Sequence, residues 1–225
     1  VSGDEPACSA WVENFRFNQE TDCDDSSIVE ICYDLLSSCP DTAYAVSILG
    51  SADGDAWSIV LNSLFGHTGD IGDSVFAGTH CFHWNAGRDW PDWEGDFSIL
   101  LELRAIGAGS LLGSYYAHNP VDTDPPSLTL SYPPSPLFAG DTAIWSWTID
   151  DLFPVEDYFE IHLDWCTGET TLTLGSPVYQ WVVPPEAEGC NVQFTVAGRD
   201  SFCNWGADTC WTRIDTTALR CKVLI

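Results

Sequence analysis

The chain has 225 residues, 45% of them apolar, and a net charge of −27. That apolar share suffices for packed cores and excludes a disordered acidic tail. The charge repels nucleic acid and anionic lipid surfaces, so neither is an expected partner, and no apolar run approaches the ~20 residues that span a bilayer.

In chain order, residues 11–17 alternate polar and apolar and predict a first strand, followed by an acidic turn carrying Cys23. Strands are predicted at 28–35 and 43–49. Asp53-Gly54 then supplies the positive φ of a tight hairpin turn, with 57–61 returning. A polar loop over 66–72, a strand over 76–84, a proline corner and a strand over 97–105 complete about seven short strands, a sandwich pattern that contradicts a helical or α/β fold. Residues 106–124 lack period and read as a linker or crossing strand ending at Pro125-Pro126. Further strands are predicted at 127–132, 142–149, 158–165, 170–174, 178–183, 192–197 and 210–215.

Two stretches say nearly the same thing. Trp84, a corner with Pro91 and Gly95, and the alternating run 97–105 are echoed by Trp181, a corner with Pro184, Pro185 and Gly189, and the run 192–200. One β-rich module used twice is implied. The expected fold class is therefore all-β, with two tandem sandwiches: residues 1–106, a linker over 107–124, and residues 125–225 with a C-terminal strand available for exchange.

Specific strings carry a resemblance. In the first half these are Tyr33-Asp34-Leu35, Ser51-Ala52-Asp53-Gly54 with Trp57, Gly69-Asp70 with Gly72, Gly78-Thr79, and above all Trp84-Asn85-Ala86-Gly87-Arg88-Asp89-Trp90-Pro91. In the second they are Asp124-Pro125-Pro126, Ala139-Gly140-Asp141-Thr142, Trp147, Asp150-Asp151, Tyr179 with Trp181-Val182-Val183-Pro184, and the run from Ala197 to Trp205. Both halves resemble the immunoglobulin/fibronectin-III-like modules found in tandem in secreted and surface-attached bacterial proteins. The resemblance implies a sandwich fold and a non-enzymatic, extracellular setting, and it transfers no active site.

Ten cysteines depart from that pattern. They lack paired zinc spacing and favour disulfides in an oxidising compartment. With no methionine even at position 1, Val1 reads as a mature N-terminus left by signal-peptide removal, so a secreted, extracellular or cell-surface location is expected. Cys203 and Cys210 bracket a short glycine-containing stretch and are candidates for one bridge; Cys166 and Cys190, both at turns, are candidates for another. Five cysteines fall in each half, so Cys8 and Cys221 are candidates for inter-module or intermolecular pairing.

Three functional readings follow. The tail Ala218-Leu219-Arg220-Cys221-Lys222-Val223-Leu224-Ile225 either docks on the sheet edge of a neighbouring subunit, giving a homo-oligomer or polymer, or forms an eighth strand of its own domain. Partnership with other cell-surface proteins is a related expectation. Trp90, Trp93 and Trp205 lie in predicted loops beside carboxylates and are candidates for stacking on polysaccharide, against the alternative of corner packing. Calcium is the ion expected if an acidic cluster binds one, with Asp53, Asp55, Asp122 and Asp124 as candidates, although no EF-hand string is present. No Gly-x-Ser-x-Gly elbow, phosphate-binding Gly-rich loop or His-Glu-x-x-His occurs, and alternation puts His80 and His83 on opposite faces, so no catalytic residue is assigned.

Overall fold

The computed structural model describes residues 8–21, 23, 27–52, 54, 56–66, 68–107, 109–133 and 135–216. It is all-β, with antiparallel sheets in two units, Val1–Asp124 and Pro125–Ile225. The first unit contains β1 (Ala10–Gln19), β2 (Ile28–Ser37), β3 (Tyr44–Ser51), β4 (Leu64–Phe65), β5 (Gly72–Val75) and β6 (Gly78–Asn85). A single helical turn α1 (Ala86–Asp89) follows, then β7 (Glu94–Ala105) and β8 (Leu111–Asp122). Two sheets result, ordered β1-β2-β6-β4 and β5-β3-β7-β8. Period-2 alternation turns Val29, Ile31, Tyr33 and Leu35 of β2 and Ile99, Leu101 and Leu103 of β7 into one shared core. Trp84 from one sheet stacks on Phe97 of the other at 5.2 Å, and Phe17 meets the same ring edge-on at 6.5 Å.

The second unit contains β9 (Ser127–Ser131), β10 (Thr142–Asp150), β11 (Pro154–Trp165), β12 (Gly168–Leu174), β13 (Val178–Val182), β14 (Asn191–Asp200) and β15 (Trp205–Arg213), with a 3-10 turn at Pro185–Ala187. Its sheets are ordered β13-β10-β9 and β12-β11-β14-β15. Trp145 lies parallel to Phe194 at 4.6 Å in a core that also takes in Trp147, Trp181 and Phe159.

The repetition in the sequence extends to the whole strand order. Replacing β1, β2, β3, β5, β6, β7 and β8 by β9 to β15 in turn converts the first pair of sheets into the second; among the described residues only β4 has no counterpart. The echoed stretches are the places where each unit crosses between its sheets, as β6-α1-β7 and as β13, the 3-10 turn and β14. A buried tryptophan ends the first strand's inward face, a helical turn makes the corner, with Pro91 just after it in the first unit and Pro185 within it in the second, and an alternating strand enters the opposite sheet.

Two sequence expectations are corrected. The stretch 107–124 is not a linker, because β8 runs the length of β7, from Arg104↔Leu111 to Glu94↔Asp122, and the division between units falls after Asp124. Its alternation is obscured because inward positions hold Gly113 and Ala117 while Tyr115 packs on the core and Tyr116 lies outward against Trp57 at 5.4 Å. The return strand at 57–61 reduces to an isolated bridge, Gly50↔Ile59, beyond the short β3–β5 pairing that ends at Val46.

Candidate functional site

The string from Trp84 to Pro91 builds the corner between β6 and β7. Asn85 caps α1, its Oδ1 accepting the Arg88 N–H at 2.9 Å. Asp89 then reaches back to the segment before β4. One carboxylate oxygen accepts the N–H of Asn62 at 2.6 Å, the N–H of Ser63 at 2.8 Å and the Trp84 indole N–H at 2.9 Å; the other accepts the Ser63 hydroxyl at 2.7 Å. Burial opposes the charge on Asp89, but the bonds from Ser63, Trp84 and Asn62 together hold its carboxyl below the ordinary range. A cleft of about 490 Å³ lies alongside, lined by Asn62, Phe65, Asn85 and Arg88 among others. Asp89 contributes to it an anion whose acceptor capacity is used internally.

The other conspicuous polar groups are used the same way. His80, buried on β6, turns Nδ1 to the Asp70 carboxylate at 2.7 Å and Nε2 to the Phe76 carbonyl at 2.9 Å, and its ring stacks on Tyr33 at 4.9 Å. Tyr33 donates its hydroxyl to the Asp70 carbonyl, and burial followed by the Asp70 charge pushes that phenol well above its usual range. These bonds fasten the segment before β6 onto β2. In the second unit Asp200 closes the β14–β15 hairpin: one oxygen accepts the N–H groups of Phe202 at 2.7 Å and Asn204 at 2.9 Å, and the other accepts the Asn204 amide at 2.7 Å. Asp89 and Asp200 each end the tetrapeptide Ala-Gly-Arg-Asp. That repeat is the sequence signal for both fastening carboxylates, and it belongs to no catalytic motif.

The cysteines follow the sequence expectation in one pair, Cys166 with Cys190, and depart from it elsewhere. Cys166 and Cys190 form a disulfide, Cα atoms 5.7 Å apart. Cys8 bonds to Cys39 within its own unit and is no intermolecular link; Ala10 pairs with Ser37 at the end of the β1–β2 ladder, which carries the flanking cysteines together. Cys32 and Cys81 are bridged as directly opposed residues of β2 and β6. Cys23 and Cys203 are each disulfide-bonded as well. The bridge expected between Cys203 and Cys210 does not form, because the residues between them are strand rather than loop. At ~3.3 Å per residue, Cys210 lies about 17 Å along β15 from Trp205, beyond the ~7 Å a disulfide tolerates. Cys210 is a free thiol buried in the core; burial, reinforced by the Asp208 charge, raises it above its ordinary value. Such a group is inert rather than nucleophilic.

Asp122 and Asp124 close β8. Asp122 is buried, its backbone N–H donating to the Gln19 amide oxygen at 2.7 Å and its Oδ1 accepting the Asp124 N–H at 3.1 Å. Burial, then the charges of Glu94 and Asp92, raise the Asp124 carboxyl above its ordinary range. This end of the β7–β8 pair offers oxygens of the kind calcium takes. Asp53, Asp55, Cys221 and the tail residues Ala218, Leu219, Val223, Leu224 and Ile225 lie outside the described residues. Trp90 and Trp93 meet edge-on at 5.8 Å and pack against the core, which is corner packing. Trp205 is not in a loop but opens β15, edge-on to Tyr158 at 6.0 Å.

One feature was missed in the sequence. Among the described residues β13 ends its sheet, whereas its counterpart β6 is covered by β4 through Leu64↔Trp84 and Phe65↔His83. The signal was the window from Ser176 to Pro184, which holds no charged residue in a chain with 34 acids.

No protein-family model matches the chain, and no curated protein matches it. Among solved structures it is similar to the Yersinia pseudotuberculosis adhesin InvE, at 11% sequence identity and a TM-score of 0.30 over 92% of this chain; the chain spans 59% of that structure.

Proposed function

We propose that this is a non-enzymatic extracellular structural protein, a surface or matrix component built from two immunoglobulin/fibronectin-III-like modules and joined to further copies by strand addition or interchain contact. One observation carries the reading. Asp89, His80 and Asp200, the polar residues best placed by motif or burial to do chemistry, are each spent on fastening one segment of a module to another. The strand order, three-plus-four in the second unit and the same with one added strand in the first, supports the module assignment. Disulfides in both units support an oxidising setting.

The test is assembly itself. Purified protein should form higher-order species with rising concentration in sedimentation velocity and extended particles by electron microscopy, and deletion of residues 218–225 should abolish both. Assembly unchanged by that deletion refutes the role of the tail, and a strictly monomeric protein at all concentrations refutes the structural reading. Saturable quenching of tryptophan fluorescence by polysaccharide would instead favour an adhesin.

A further inference from the structure

We infer that the free edge of β13 is the acceptor for the C-terminal segment 218–225 of a second copy. This rests on the structural reading above and names the surface it uses. The backbone sets the polarity of the edge. Trp147 N–H donates to the Pro177 carbonyl at 3.1 Å, Val183 N–H to Asp141 O at 2.9 Å, and Gly140 N–H to Val183 O at 2.9 Å. Hydrogen-bonding groups alternate sides along a strand, so the odd-numbered residues face β10. The N–H and C=O groups of Val178, Gln180 and Val182 therefore face away from the sheet.

The same three residues carry the outward side chains. Val178 is 43% exposed and Val182 is 65% exposed, and they sit beside Ser146, Ile144 and Thr142 of β10 in register. That six-residue face holds no charge. Natural edge strands are usually blunted by lysine, an internal proline or a bulge; β13 has none of these between Pro177 and Pro184. The comparison within the chain is direct: the first module covers the equivalent edge with β4, and no strand among the described residues of the second covers it.

Charge selects the occupant. A protein of net charge −27 repels its own copies, and any contact between them must avoid or offset that. Residues 218–225 hold Arg220 and Lys222, two of only seven basic residues, and no acid. Leu219, Cys221, Val223 and Ile225 alternate with the two cations, which is the pattern of a half-buried strand. Acids flank the acceptor at both ends: Glu156 lines a cavity with Pro177, and Asp141 adjoins Val183. Main-chain bonds to Val178, Gln180 and Val182 would supply affinity, and the cation–acid pairs would set direction.

The experiment measures binding of a fluorescent peptide of residues 218–225, with Cys221→Ser, to the full chain by anisotropy. Saturable binding is expected, weakening as sodium chloride rises from 50 to 500 mM. Gln180→Pro removes one outward N–H without touching the ladder to β10, and it should weaken binding at least tenfold while circular dichroism stays unchanged. Val182→Lys, which sets a like charge against the tail, serves as the second variant and should act in the same direction. Absence of binding, or binding indifferent to both variants, overturns the proposal. Binding only to a chain lacking residues 218–225 also overturns it, because the tail would then occupy its own module. Assembly is scored separately. Polymers that persist in Gln180→Pro would sink this acceptor and spare the structural reading; peptide binding without any polymer would do the reverse.

Discussion

Asp89 shows how one side chain decides the state of a corner. Its four donors come from β6 and from the segment before β4, so the carboxylate ties that segment to the corner just where the short β4–β6 ladder ends. Asp89→Asn keeps the size and removes the charge; a cost of ~2–3 kcal/mol at pH 7 is expected, read as a fall in melting temperature of roughly 10 °C or more. The pH dependence has a definite sign. A carboxyl lowered by folding contributes stability above its unfolded pKa and loses it as pH falls through the folded one, so the gap between wild type and Asp89→Asn should close between about pH 4 and pH 2. Asp124 has the opposite sign: burial and two neighbouring acids raise it, and its charge costs stability at neutral pH. Asp124→Asn should therefore raise the melting temperature in chelator at pH 7. If calcium gathers at this end of β8, the same variant should abolish any rise that calcium produces at matched ionic strength.

At the scale of elements, close approach and cross-linking set different limits. Gly206 stands where β15 runs past the residues preceding β9, and a Cβ there would overlap the carbonyl oxygen of Pro126. Gly206→Ala must displace backbone, and a loss above ~2 kcal/mol is expected in urea unfolding. The Cys166–Cys190 bridge closes a loop with a sequence separation of 24, for which chain entropy gives ~3 kcal/mol. Replacing both residues by serine should lower the melting temperature by roughly 10 °C or more, whereas a change under 2 °C would show that the turn is fixed without it. Which elements could be read from sequence depended on where their order comes from. β2, β10, β11 and β14 alternate by their own side chains and were legible. β4 and β5, two and four residues long, carry too little pattern to be seen, and β8 owes its extension to its partner β7. The Trp84–Asp89 corner was visible as a specific string, but its chemistry was not, because Asn62 and Ser63 reach Asp89 only through the fold. The Cys203–Cys210 expectation failed for the same reason: spacing was legible, and the strand between them was not.

For the whole molecule, the governing quantity is the charge of −27. Self-repulsion opposes compactness and is screened by salt, so the melting temperature should climb between 10 mM and 1 M sodium chloride, where the Debye length shrinks from ~30 to ~3 Å. A flat or falling curve would mean that local pairing already cancels the field. The disulfides of the first unit add something other than thermal stability. Cys8–Cys39 and Cys32–Cys81 overlap along the chain, and the second joins neighbouring strands of one sheet. Under tension the taut path enters at Cys8, passes through sulfur to Cys39, runs back to Cys32 and leaves through Cys81, so nearly all the polypeptide between the outer pair is slack. Pulled by its ends with a force probe, the oxidised first unit should lengthen chiefly through the stretch after Cys81, and reductant should release about 200 Å more from the stretch before it. A thread woven from such units would keep the portion from Cys8 to Cys81 short even after its hydrogen-bonded sheets had given way.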